Sequence, residues 1–401
     1  MPDASAESPS PTSLRLLILV LGACGFASTF TMRIVDPLIP TLAGEFGRSV
    51  PQIVVMVTAF ALSYALGQPF LGPIADTIGK IRTILICLIV LAILSGAAAF
   101  AQSFEVMAVV RATTGVASGG VIPIAMAAIG DRAPMHERQI ALGRFLVIMI
   151  VGQMSGSACS GLIATHVGWR GPFLAASAMA VGAAALVAIF LKPRRNAKRP
   201  PLSISGAIAN YGLVFSNPKT KLLYGLVITE GILLFGIPAY VAAILFERSG
   251  VGPAQAGLVI AGMGFGCLIY GILTRILVER LGPSMMTKLG GAVCGIALSL
   301  FALSGWPWWS AIVLFAVQGF GFFLLHGTFQ AQATELAPTA RGSAVSLFAC
   351  FFFTGQALGP VVMGAVMHLT GTPAAIIIFA VGIVVLGQVT PRLLPLAGSR
   401  T

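Results

Sequence analysis

Residues 72–82 read GPIADTIGKIR, a run holding two glycines, an acid and two bases between the stretches 51–71 and 83–101, neither of which contains Asp, Glu, Lys or Arg. Roughly 20 apolar residues make a helix long enough to cross a hydrocarbon core of about 30 Å. The run therefore reads as a short turn joining two membrane-spanning helices. It also has a second copy. Asp76-Thr77-Ile78-Gly79 returns 203 residues later as Glu279-Arg280-Leu281-Gly282, and Asp131-Arg132-Ala133-Pro134 returns 204 residues later as Glu335-Leu336-Ala337-Pro338. Two loops repeated at nearly one offset predict a chain made of two parallel halves, with a substrate near the midplane between them.

Working outward from these turns, apolar windows recur at about 14–38, 51–71, 83–101, 105–129, 141–163, 171–191, 222–245, 254–274, 286–304, 308–331, 342–366 and 373–392, twelve in all. They lack the strict alternation of barrel strands. An all-α membrane protein of twelve transmembrane helices is expected, since helices satisfy every backbone polar group within each span. The expected organisation is a disordered tail over 1–13, a six-helix half over 14–191, and a basic linker over 192–221. A second six-helix half over 222–392 and a short tail over 393–401 complete it. Within the linker, residues 203–215 can form a short amphipathic surface helix. The composition agrees: 57% of the 401 residues are hydrophobic and 9% are charged, against roughly 25% charged in soluble domains.

Charge placement predicts orientation. With both termini in the cytoplasm, nineteen Lys and Arg fall on inner segments and three, Arg48, Arg170 and Arg248, on outer loops. That asymmetry follows the positive-inside rule. The net charge of +12 is then explained by topology and by the anionic inner leaflet of a lipid bilayer, and no nucleic-acid partner is implied. Trp306, Trp308 and Trp309 read as an outer interfacial belt. The six cysteines lie in apolar windows without metal-ligand spacing, so no metal or cofactor is expected. No GxxxxGK followed by Ser or Thr occurs, which argues against direct ATP coupling, and no catalytic constellation appears.

Gly72-Pro73-Ile74-Ala75-Asp76-Thr77-Ile78-Gly79-Lys80 resembles the signature loop of the major facilitator superfamily, G-x-x-x-D-x-x-G-R/K. Arg111-Ala112-Thr113-Thr114-Gly115 resembles the R-x-x-x-G motif of the fourth helix in proton-coupled members. Within that family the chain looks most like the twelve-span drug/proton antiporter group that includes sugar-efflux permeases. One departure is visible: the fifth span reads Gly152-Gln153-Met154-Ser155-Gly156 with no Gly-Pro, while Gly355-Gln356-Ala357-Leu358-Gly359-Pro360 lies in the eleventh. The resemblance implies a monomeric transporter working by alternating access. It also implies a cytoplasmic gating motif of Gly72, Asp76, Gly79, Lys80 and Asp131, with Asp131 as partner of Lys80, and a second-half counterpart in Glu279, Gly282 and Glu335.

Four ionisable residues fall well inside spans: Arg33, Asp36, Arg111 and Glu230. Glu230 lies nine residues after Lys221, about 13 Å deep at 1.5 Å per residue. Intramembrane acids are expensive and mark function by default, so Glu230 and Asp36 are the candidate proton-coupling groups; Glu230 can equally be a structural, hydrogen-bonded acid. Arg33 and Asp36 either join Arg111 in a cavity-lining charge network or form a local pair reaching the outer interface. Gln153, Gln318, His326, Phe26, Phe30, Tyr240 and Tyr270 are further candidates for the cavity wall, although helix packing explains such residues as well. The expected activity is proton-coupled export of a small amphiphilic or organic solute. A proton symporter or facilitator taking up an organic anion, drawn by Arg33 and Arg111, is the second reading, and a transport-dead receptor the third.

Overall fold

The computed structural model describes residues 11–191, 204–303 and 307–394. The expected tail falls outside these up to residue 10, as do the basic start of the linker, Trp306 and the last seven residues. Among the described residues the chain is helical throughout, with no strand. In order, the helices are α1 (Pro11–Arg33), α2 (Ile39–Phe46), α3 (Val50–Ile78), α4 (Lys80–Ala99), α5 (Phe104–Arg132), α6 (Met135–Val167) and α7 (Arg170–Phe190). They continue with α8 (Ile204–Ser216), α9 (Lys219–Phe235), α10 (Val241–Ser249), α11 (Pro253–Ala302), α12 (Ser310–Glu335), α13 (Arg341–Thr370) and α14 (Thr372–Leu393).

Eleven helical segments are long and apolar enough to cross a membrane. One of them, α11, spans 50 residues and is broken at Gly282, whose φ of 69° and ψ of 165° are not helical. It therefore supplies two of the twelve expected crossings. Two windows need correction. The first does not end near residue 38: after α1 the chain makes a single turn over Asp36–Leu38 and resumes as α2 to Phe46. The seventh behaves in the same way, with α9 interrupted by a turn at Pro238–Tyr240 before α10. Pro37 and Pro238 explain both breaks, because neither can donate to the carbonyl four residues back, that of Arg33 or Leu234.

The repeat is deeper than two loops. Among the described residues every positive φ belongs to a glycine, and the six form three pairs 203 residues apart: Gly47 with Gly250, Gly79 with Gly282, and Gly168 with Gly371. At Gly79 and Gly282 the backbone occupies a region that only glycine enters without strain, so the two matching turns are sharp for the same reason. Close crossings repeat as well. A side chain on Gly152 or Gly156 of α6 would meet the α1 backbone at Phe26 and Phe30, and one on Gly355 or Gly359 of α13 would meet α9 at Ile228 and Ile232. The Gly-Pro motif absent from the fifth span thus sits at the equivalent position of the other half. Likewise Gly115 and Gly119 bring α5 onto α3, and Gly262 and Gly266 bring α11 onto α12. Small residues are what allow such approach between helices when lipid gives no hydrophobic drive.

The halves meet where α3 lies along α13 and α6 along α11, and at one end through α2, α10 and the two interrupting turns. The opposite, basic end carries Lys80, Asp131 and α8. The expected linker helix is present as α8, and it is pinned: the Tyr211 hydroxyl donates to the Pro69 carbonyl at 3.2 Å, a group that Pro73 cannot satisfy within α3. Large apolar side chains such as Leu19, Ile93, Ile272 and Leu369 point outward, while most polar side chains of the spans turn inward.

Candidate functional site

The break after α1 builds the first part of the site. It removes the helical donors for the carbonyls near Thr31 and Ile34, and two side chains from other helices take them. Arg111 Nη1 of α5 donates to the Thr31 carbonyl at 3.1 Å, and Ser160 Oγ of α6 donates to that of Ile34 at 2.5 Å. Arg33, the last residue of α1, turns inward at 8% exposure and bonds Asp36 at 3.4 Å. The local pair that was one of the two readings does form, and both of its residues lie inside the bundle. Arg111 is fully buried, its guanidinium 4.1 Å above the Phe60 ring and within electrostatic range of Asp36. Arg33 stacks 5.0 Å from Phe235 of α9, across the boundary between the halves. A cavity of about 10 Å³ lies here, lined by Arg33, Asp36, Phe60, Phe235 and Gln356 among others, about the room for one water.

The second part lies in the C-terminal half. Glu230 of α9 is completely buried, and its Oε2 lies 3.0 Å from His326 Nδ1 of α12. The carboxylate therefore has a hydrogen-bonding partner, as the structural alternative for Glu230 requires, and that partner is a second candidate from the sequence. Its second oxygen has no hydrogen bond among the described residues. The His326 side chain keeps 11% exposure and is surrounded by the rings of Phe322, Phe348 and Phe352 at 4.8, 5.1 and 4.4 Å. Phe322 and Phe352 also pack on Phe235 at 5.5 Å each. A continuous aromatic bridge thus runs from Arg33 to His326. Sequence reading missed Phe235, Phe322 and Phe352; the spacing of Phe322 with His326 and of Phe348 with Phe352, four residues each, was the available signal that these rings share helix faces.

The remaining candidates are distributed. Gln153 donates to Met32 Sδ at 3.7 Å, Phe26 stacks on Phe30 beneath it, and Gln318 is buried with neither amide atom bonded among the described residues. Tyr240 is tied to α13 by its hydroxyl on the Pro360 carbonyl at 3.0 Å, and Tyr270 packs against Phe320 and Phe323. At the basic end Lys80 Nζ bonds Asp131 at 2.5 Å, which joins the start of α4 to the end of α5. Asp76, four residues before Lys80 in sequence, is exposed, and Gly72 faces open space. Glu279 pairs with Arg275 at 2.9 Å and Glu335 with Arg341 at 3.8 Å, both pairs within the C-terminal half.

The sequence model described as Major Facilitator Superfamily matches residues 21–349 and 237–399. The chain belongs to the major facilitator superfamily. This facilitator is 25% identical over 391 residues to a putative metabolite transport protein of Haemophilus influenzae, covering 90% of this chain and 92% of that one. It is 24% identical over 343 residues to the quinolone resistance protein NorA of Staphylococcus aureus, covering 84% and 86%. Among solved structures, the nucleoside transporter NupG superposes with a TM-score of 0.76 at 16% identity over 96% of this chain and 99% of that one. The POT family transporter PepTSo superposes with a TM-score of 0.76 at 15% identity over 94% and 97%. The facilitator is a multi-pass membrane protein and a transporter of small molecules rather than an enzyme.

Proposed function

We propose that this facilitator couples proton entry to export of a small amphiphilic organic solute by alternating access, as a monomer in the cell membrane with both termini in the cytoplasm. The observation that carries the reading is Glu230, a carboxylate with 0% exposure whose one hydrogen bond is to an imidazole that keeps slight access. A buried acid with a titratable neighbour can exist charged or neutral, and the two forms favour different surroundings. Opening the cavity to one side or the other changes those surroundings, so the proton biases the conformational equilibrium by its differential affinity for the two states. His326 is suited to hand the proton between solvent and Glu230, with Nδ1 facing the carboxylate. Asp36, held by Arg33, is the second proton candidate and a latch at the α2–α10 end.

Solute would occupy the space between the halves, against Phe26, Phe30, Phe235 and Phe352, where apolar walls surround a few polar groups. Lys80, Asp131 and Asp76 would form the cytoplasmic gate. NorA, by its name a resistance protein, favours export as the direction. The test is solute-evoked proton movement in liposomes containing the purified protein and a pH-sensitive dye. Addition of a transported amphiphile on the protein's cytoplasmic face is expected to drive protons in the opposite direction; proton and solute moving together would replace export by symport, and no proton movement during solute flux would overturn coupling.

A further inference from the structure

The buried charges of the N-terminal half do not balance. Arg33, Arg111 and Asp36 all lie inside the bundle, so two guanidinium groups share one carboxylate. Arg111 makes one hydrogen bond, to the Thr31 carbonyl, while its Nε and Nη2 and the Oδ1 of Asp36 are buried with no partner among the described residues. A guanidinium carries five donors in a fixed fork and stays charged. Leaving its donors unpaired away from water is unfavourable, so this arrangement is suited to receive an acceptor group. The fork shape matches an oxyanion, which accepts two parallel hydrogen bonds.

The surroundings of the cluster fit a subsite between the halves. The small cavity is lined by Arg33, Asp36 and Phe60, the ring that Arg111 covers, and from the other half by Phe235 and Gln356. Gln356 is buried and supplies an amide to that cavity. The bond between Arg33 and Asp36 is single and long, at 3.4 Å, so Arg33 can turn without a bidentate pair being broken. The three charges sum to +1, and one oxyanion brings the group to neutrality.

We infer that Arg111 and Arg33 form an oxyanion subsite for the transported solute, which is therefore an organic compound bearing a carboxylate, sulfonate or phosphate group. Gln356 meets that group from the opposite half once the α2–α10 end opens. The inference deepens the transport reading above and rests on it for the identity of the occupant. A plain organic anion and a zwitterion present the same group to Arg111; in a zwitterion the cationic end would face Glu230 across the aromatic bridge.

The test is equilibrium binding to the full chain in nanodiscs of zwitterionic lipid, using matched pairs that differ in charge and little in shape. Octanesulfonate is compared with octanesulfonamide and benzenesulfonate with benzenesulfonamide, and aminomethylbenzenesulfonate tests the zwitterion. At least one sulfonate is expected to bind about tenfold more tightly than its sulfonamide, the scale of a charge-assisted hydrogen bond. Arg111→Gln should bring the ratio below about threefold while the unfolding temperature without ligand stays close to the parent's, and Arg111→Lys should keep part of the preference. If Arg111→Gln fails to fold, Arg33→Gln takes its place with the same expectation. Tighter binding of the zwitterion than of benzenesulfonate also supports the subsite. Equal binding of sulfonates and sulfonamides, binding of no sulfonate, or an undiminished preference in a folded arginine variant overturns it. Because binding is read without a gradient, loss of proton coupling alone leaves the subsite standing, and loss of the subsite leaves coupling to its own test.

Discussion

Glu230 and His326 face each other across 96 positions of sequence, and this pair is where single residues matter most. Among the described residues each has one polar partner, so removing either leaves the other unpaired in an aromatic setting. Glu230→Leu and His326→Phe are each expected to destabilise the protein, and their coupling in a double-mutant cycle should be about 1–2 kcal/mol, the upper range for polar pairs between membrane helices. Reversible unfolding in mixed micelles measures this; strictly additive effects would dissolve the pair. The depth of Glu230 was legible from its distance to Lys221, because a helix has a fixed rise. Its partner was not, since linear position does not say which face of another helix turns toward it. For the same reason Arg33 and Asp36 left two readings open until the interrupted helix showed both facing inward.

At the scale of elements, two kinds of glycine make opposite predictions. Gly282 sits at φ 69° in the sharp turn of α11, with open space around it. Gly282→Ala should therefore cost roughly 1–3 kcal/mol through backbone strain alone. Gly271, in the helical part of the same element, also has open space around it, and Gly271→Ala should be neutral or stabilising by about 0.5–1 kcal/mol. Thermal unfolding of the two variants checks the contrast, and equal effects would refute the role of the turn. The twelve spans were readable from apolar length, yet the continuations into α2 and α10 were not. Pro37 and Pro238 are signals for a helix end, and in most helices they would be; here Arg111 and Ser160 take the carbonyls that the break in α1 exposes, so the chain can resume after one turn. That compensation is tertiary, and no local pattern reveals it.

At the scale of the whole molecule, scaffold and site obey different symmetry. The turn glycines and the crossing pair Gly152 and Gly156 recur at an offset of 203 residues, but the interior charges do not: the positions matching Arg33, Asp36, Arg111, Glu230 and His326 hold Gly236, Ala239, Leu314, Ala27 and Pro123. The repeat thus provides two similar bodies, and polar side chains are added to each separately, with the proposed oxyanion subsite in the first and the proposed proton site in the second. The gate at the basic end follows the same logic. Lys80 and Asp131 are partly exposed, so the pair should contribute less than about 1 kcal/mol to stability. Lys80→Asp should nonetheless slow transport, and combining it with Asp131→Lys should restore part of the rate; flux in vesicles measures both, and no rescue would deny the pair a gating role. The central claim is that Glu230 carries the coupled proton, and it is tested most directly by Glu230→Gln in liposomes assayed in two modes. Solute exchange at equal pH on both sides should persist while flux driven by an imposed pH gradient falls to the background of empty liposomes. Gradient-driven flux at the parent's rate in the folded variant would contradict the account.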